Sequence, residues 1–228
     1  MRVLRSLAVF AALGLLVPSA GCAKEVTGAP RAASSAVPLA IAEDGFGIVA
    51  GFGDAPATIE IYTEPQCTHC SDLQREFGDQ IAYYITVGTL QVTYRPLTFL
   101  DDDYEGYSSK VVNALFLASD AIGNSAATGT QFQRFVEELW INQDPGGPAF
   151  TGEELRDMAI DAGIPESVAG NIGGDHEAVD LAEMEESNYS LLFDIDSVDT
   201  GTPTVYDLNA GEKLDVNDDA WLDDLVAP

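Results

Sequence analysis

The sequence predicts an α/β domain in which a block of helices is inserted between two smaller halves, strand–helix–strand before it and strand–strand–helix after it. Three observations carry that prediction. The alternating, β-branched run from Ala57 to Thr63 leads directly into apolar residues four apart, Leu73, Phe77 and Ile81. From about residue 105 to 195 the apolar spacing is helical almost throughout. Past Asp199 it returns to short strands around Asn209-Ala210-Gly211, closed by a last helical stretch.

Composition narrows the function before any motif is read. The 228 residues are 46% hydrophobic, enough for one good core with a helical lobe. Acidic residues outnumber Lys and Arg by 38 to 10, giving a formal charge of -28. With no basic stripe to meet phosphates, nucleic acid is excluded as a partner. Both a salt-adapted host and an ordinary acidic exported protein fit this surface.

The first 21 residues read as a signal peptide. Met1 to Arg5 is basic, Leu7 to Val17 is apolar, and Pro18-Ser19-Ala20-Gly21-Cys22 ends the run in small residues. Ser19-Ala20-Gly21-Cys22 resembles the bacterial lipoprotein box, with Ser19 where that motif usually has leucine. The resemblance implies that Cys22 carries a lipid, which accounts for one of only three cysteines. Residues 22–43, rich in Ala, Ser and Pro, read as a flexible, lipid-anchored tether. The folded domain is expected over 44–226.

Within it, Gly45 to Gly51 is a short strand whose glycines lack the context of a phosphate loop. Val92 to Leu97 is a second central strand ended near Pro96, and a strand–helix–strand order makes it parallel to the first. Ser108 or Ser109 is expected to cap a helix to about Ile122. Thr130–Asn142 is a second helix with an apolar stripe of Phe132, Phe135, Val136, Leu139 and Trp140. Thr151 and Glu154 form a capping box for a third, ending at Gly163. Asp175 to Phe193 is a fourth, with Val179, Ala182, Tyr189 and Leu192 facing inward. Thr202 to Asp207 leads into a strand, Glu212 to Val216 returns antiparallel, and Asn217 caps the last helix.

The chemistry gathers at Cys67-Thr68-His69-Cys70, where the first strand meets the first helix. A thiolate there faces unpaired backbone N–H groups and the positive end of the helix dipole, which lower its pKa. The spacing lets the second thiol close a small disulfide ring with the first. A buried cysteine pair and a pair of metal ligands are the other readings of the same four residues.

The order of elements, with Glu64-Pro65-Gln66-Cys67-Thr68-His69-Cys70 and Gly201-Thr202-Pro203-Thr204, resembles the thioredoxin fold in its DsbA-like form. Tyr94 to Asp101, followed by Tyr107-Ser108-Ser109, is similar to exported actinobacterial members of that family. The resemblance implies a thioredoxin-like fold with the helical insertion at about 105–195, and a protein thiol:disulfide oxidoreductase. Cys67 is then the nucleophile, Cys70 the resolving thiol, and Pro203 a cis-proline facing them. Thr202, Gly201, Gln66 and Thr68 would meet the substrate. His69 is expected to donate a hydrogen bond to the Cys67 thiolate, and Glu64, read as a loop acid, to oppose it. Relatives often carry a buried acid six positions before the nucleophile; here that position is Ile61, and Glu60 beside it should point to the other face.

No dissociable cofactor and no metal is implied beyond the Cys67–Cys70 disulfide. The expected partners are reduced or misoxidised exported polypeptides, a membrane redox partner that recharges the disulfide, and the membrane itself through Cys22. The protein is expected to be a monomer on the outer face of the cytoplasmic membrane, or secreted or periplasmic if Cys22 carries no lipid. Two rival functions remain: a disulfide reductase of the same fold, or a copper- or metal-binding lipoprotein using the two thiols with His69 or His176.

Overall fold

A computed structural model describes residues 36–102, 106–174 and 176–227. The expected signal peptide, Cys22 and most of the expected tether lie outside them. Six strands form one sheet in the order β1-β2-β4-β3-β5-β6. These are β1 (Leu39–Ile41), β2 (Ile48–Ala50), β3 (Ala57–Thr63), β4 (Leu90–Pro96), β5 (Thr204–Asp207) and β6 (Glu212–Lys213). β3 and β4 are parallel, with Ile61 opposite Tyr94; every other pair is antiparallel. The helix joining the parallel pair is α1 (Thr68–Val87), as a parallel connection requires. Gly88, at φ 76°, ends it in the left-handed conformation that costs glycine least.

Between β4 and β5 lie α2 (Tyr107–Ser119), α3 (Gly129–Ile141), α4 (Gly152–Asp161), α5 (Glu166–Ile172) and α6 (Leu181–Ile195), and α7 (Trp221–Val226) closes the chain. This is the expected βαβ core with α2–α5 inserted before the C-terminal strands. The aromatic stripe of α3 is core: Phe132, Phe135 and Trp140 are fully buried, with the Phe132 ring 5.3 Å from that of Tyr94. Gln133 is buried on the same helix. It donates to Gln74 Oε1 (2.8 Å) and accepts from the Tyr94 hydroxyl, so its amide is satisfied at both ends. The capping box of Thr151 and Glu154 forms as read, and Thr128 with Gln131 makes another at α3.

Several details differ from the sequence reading. Part of the expected tether is sheet: Leu39 to Ile41 pair with β2, a run too short for alternation to show. α5 was not anticipated; its seven residues span only two turns, and it forms because Val168, Ala169 and Ile172 are buried. Ser108 and Ser109 do not cap α2 with their side chains. Their N–H groups donate instead to the two carboxylate oxygens of Asp101 (2.6 and 2.7 Å). α6 begins after Asp180 and buries Met184, Asn188 and Leu192, leaving Tyr189 43% exposed. That face is set by a polar anchor: Asn188 donates to the carbonyls of Phe46 (2.9 Å) and Pro96 (2.8 Å). The return strand is only Glu212–Lys213, and Asn217 pairs with Asp215 rather than capping α7.

Ile61 is fully buried in the core, and Glu60 lies on the opposite face of β3 as alternation requires. There Arg95 Nε donates to Glu60 (2.9 Å), the Tyr62 hydroxyl donates to Glu60 (2.6 Å), and Arg95 also pairs with Asp44. Glu60 is thus committed to an ion cluster away from the cysteines.

Candidate active site

Cys67 is the residue immediately before α1, with φ -71° and ψ 116°, the extended geometry of a helix N-cap. A tight turn delivers it: its N–H donates to the Glu64 carbonyl (3.1 Å), and its own carbonyl accepts from Cys70 N–H (3.1 Å). Gln143, from the loop after α3, donates to the carbonyls of Pro65 (2.8 Å) and Cys67 (3.2 Å), and the Trp140 indole donates to that of Glu64 (3.2 Å). The helical insertion therefore clamps the backbone that carries the thiol.

The two thiols differ sharply. Cys67 is part-exposed and Cys70 is 1% exposed. The Cys67 pKa is lowered from its ordinary 9.0 to about 5. The main cause is the Cys70 thiol acting as donor, followed, against the opposing cost of burial, by the Thr202 hydroxyl. The N–H groups of Cys70 and His69 turn their positive ends toward the sulfur without closing a full capping hydrogen bond. Burial, then the adjacent Cys67, push Cys70 well above its ordinary value, against donation from the Glu64 N–H and the Thr63 hydroxyl. One sulfur is an ionised nucleophile at neutral pH and its partner is a buried, protonated thiol.

The loop before β5 faces this pair. The Thr202–Pro203 peptide is cis, and the Cys67 sulfur lies 3.2 Å from the Thr202 carbonyl, to which it donates when protonated. Beside it is a cavity of about 520 Å³ lined by His69, Asp72, Leu73 and Arg75 of α1, with Thr202, Pro203 and Asn217 opposite. His69 is exposed there; what it turns toward Cys67 is its backbone N–H, which any residue would supply. Thr68 is exposed next to it, and Gly201 is half-buried, its carbonyl accepting from the Thr204 hydroxyl (2.8 Å). Gln66, expected at the substrate face, is buried instead. Its amide donates to Ser108 Oγ (3.3 Å) and accepts from Gly146 N–H (3.2 Å), tying the active-site turn to the insertion.

Glu64 is no surface loop acid. It has no exposure at all, accepts from the Ser108 hydroxyl and from Gln66 N–H (2.6 Å), and has its pKa raised to about 7, chiefly by burial. Nothing local in the sequence signals this; Ser108 and Trp140, which enclose it, come from the insertion. His176, the other histidine weighed as a ligand, is exposed, with its carbonyl accepting from Asn113 (2.9 Å). Among the described residues no group of three or more His, Cys, Asp or Glu side chains is placed to hold a metal ion.

Fold and site together define a thioredoxin-fold domain of the DsbA type, with a two-cysteine helix start facing a cis-proline loop. A family model described as Thioredoxin matches residues 43–159, just over half of the chain, and the protein belongs to that family. Among solved structures it is similar to the MdbA protein, a thiol-disulfide oxidoreductase from Corynebacterium diphtheriae. That match has a TM-score of 0.63 at 21% identity, covering 85% of this chain and 96% of that one. Oxidised DsbA from Mycobacterium tuberculosis gives a TM-score of 0.56 at 19% identity, over 80% of this chain and 93% of that one. A serine/threonine-protein kinase, PknE of Mycobacterium tuberculosis, is 27% identical over 204 residues, 85% of this chain. The match is 33% of the kinase's length, so this chain spans about a third of the curated relatives it matches.

Thiolate absorbance followed against pH should show Cys67 titrating near pH 5, well before Cys70. Thr202→Val keeps the shape of the loop and removes a hydroxyl donor, so it should raise the Cys67 midpoint by about one pH unit. Coincident curves would remove Thr202 from the tuning of the thiol.

Proposed function

We propose that the protein is an extracytoplasmic thiol:disulfide oxidoreductase that donates a Cys67–Cys70 disulfide to exported polypeptides. A substrate thiolate attacks the Cys67 sulfur, the only one of the pair open to solvent, and forms a mixed disulfide while Cys70 leaves. A second substrate thiolate then attacks the substrate's own sulfur in that bond, and Cys67 departs as the stable thiolate. The single observation that carries the direction is the low Cys67 pKa. A well-stabilised leaving thiolate favours the reduced enzyme and makes its disulfide an oxidant. The cavity between α1 and the Thr202–Pro203 loop gives an extended substrate a place beside the reacting sulfur.

The assay is catalysed oxidative refolding of a reduced secreted protein, together with the potential of the cysteine pair. The oxidase reading requires refolding activity and a potential nearer the roughly -120 mV of DsbA than the roughly -270 mV of thioredoxin. A strongly reducing potential without refolding would make the protein a reductase.

The membrane tether belongs to the same proposal. It rests on the apolar run from Leu7 to Val17 and the small residues before Cys22. In its own host the protein should fractionate with membranes, and Cys22→Ser should release it or block its processing. Unlipidated wild-type protein free in the medium would refute the anchor.

A further inference from the structure

The cavity beside Cys67 does not end at the cis-proline loop. It shares Pro203, Val216 and Asn217 with a second of about 390 Å³, and that one shares Leu214 and Asp215 with a third of about 380 Å³. The segment from Leu214 to Asn217 thus forms one wall of a trench that leads away from the redox pair. Its far end differs from the near one in chemistry. Five carboxylates line it, those of Asp207, Glu212, Asp215, Asp218 and Asp224, with no Lys, Arg or His beside them. The rest of that lining is apolar, from Leu214, Trp221 and Leu225.

A chain of charge -28 carries acids over much of its surface, and two features set this cluster apart. The first is Trp221, which lines the cavity at 6% exposure with its ring edge-on to Phe77 (centroids 5.4 Å apart). Its indole N–H has no acceptor among the described residues, a rare condition for a buried donor in a native fold. The second is that the charges are not neutralised from within. Lys213, beside Glu212 on β6, turns instead to Asp196 (3.0 Å) and Asp199 (3.9 Å). Asp207, Asp215 and Asp218 each hold one oxygen on N–H groups of their own turns, and the second oxygen meets no donor among the described residues. These carboxylates are fixed in direction and free in charge. They do not converge as a metal ion requires. A cation on an apolar stem fits better, its methylenes against Leu214 and Leu225 and its head among the carboxylates.

We propose that the far end of this trench is a subsite for a lysine or arginine side chain of the polypeptide being oxidised. The protein then prefers substrates with a basic residue at a set distance from the reacting cysteine. The proposal rests on the oxidoreductase reading given above and names the substrate class of that same site. A chain lying along the trench presents its cysteine to Cys67 at one end and its basic side chain to the carboxylates at the other. It also brings the backbone carbonyls from which Trp221 N–H can take the acceptor it lacks. The cation is held alike before and during sulfur exchange, so the subsite lowers KM and leaves turnover unchanged.

The test mixes the oxidised protein with unstructured peptides, each carrying one cysteine and one lysine at increasing distance from it on either side. Loss of the protein disulfide gives a second-order rate constant for each peptide. Dividing it by the same peptide's rate with glutathione disulfide removes the effect of the lysine on its own cysteine. The normalised rate should peak at one placement of the lysine, about fivefold above the same peptide with glutamine there. Glu212→Gln combined with Asp224→Asn removes two exposed carboxylates that make no hydrogen bond among the described residues, and should flatten the peak. Glu183→Gln combined with Glu186→Gln removes the same charge from α6, outside the trench, and should leave the peak in place. A rate that ignores the lysine, or rises equally wherever it stands, would overturn the subsite. So would an equal fall with both pairs of substitutions, which would reduce the effect to attraction by the whole acidic surface. Should the Glu212–Asp224 variant fail to fold, the peptide series on the wild type decides alone. A wild-type disulfide that neither the peptides nor reduced glutathione can open would instead refute the oxidoreductase reading beneath it.

Discussion

The structure depends on keeping one sulfur ionised at the open end of α1 while its partner, three residues on, stays a buried thiol. The helix start, the Thr202–Pro203 loop and the core beneath α1 serve that asymmetry. The helix start supplies positive N–H ends, the Cys70 thiol and Thr202 hydroxyl supply donors, and the core excludes water from Cys70. An N-cap position normally takes a small oxygen acceptor that satisfies the first N–H groups. A part-exposed cysteine there gives up the stability of such a cap, and what it gains is a thiolate at neutral pH.

That arrangement needs a rigid backbone, and the helical insertion provides it. Trp140 and Gln143 hold the carbonyls of residues 64, 65 and 67, while Gln66 bridges Ser108 and Gly146. The insertion is therefore more than a cover over the sheet. It supplies the polar partners of the active-site turn, and it closes Glu64 off from solvent. Arg95 does the corresponding work on the far face, gathering Glu60 and Asp44. The consequence is that the two acids of one segment, Glu60 and Glu64, sit in opposite electrostatic settings. One is neutralised by an adjacent guanidinium, and the other faces a thiolate.

Much of this was legible in the sequence because it is local. The alternation of Ala57–Thr63, the four-residue spacing after Cys70 and the Thr151–Glu154 capping box each lie within one element, and each formed as read. Alternation alone separated Glu60 from Ile61. What stayed hidden depends on contacts between distant segments. Glu64 looks like a loop acid until Ser108 and Trp140 close over it, and Gln66 looks exposed until the N–H of Gly146 donates to its amide oxygen. β1 and α5 escaped for another reason: three and seven residues are too few to display a period, and β1 forms through its ladder with β2 while α5 forms through the burial of Val168, Ala169 and Ile172.

The central claim is that the fold stabilises the reduced protein, with Cys67 ionised and Cys70 protonated, over the disulfide, and comparing the stabilities of the two redox forms across pH tests it most directly. Cys67 titrates near 5 in the folded protein and near 9 when unperturbed, so between those values the unfolded chain binds a proton that the native reduced protein lacks. Its contribution is therefore fully present above pH 9, rises with pH across this window, and is lost as pH falls through 5. Glu64, raised from 4.5 to about 7, works in the opposite sense between those two values, so the Cys67 effect is cleanest above pH 7. Urea unfolding should find the reduced protein more stable than the disulfide form at pH 8, with the gap closing toward pH 5. A disulfide form that is the more stable at pH 8, or a gap that does not change with pH, would contradict the account.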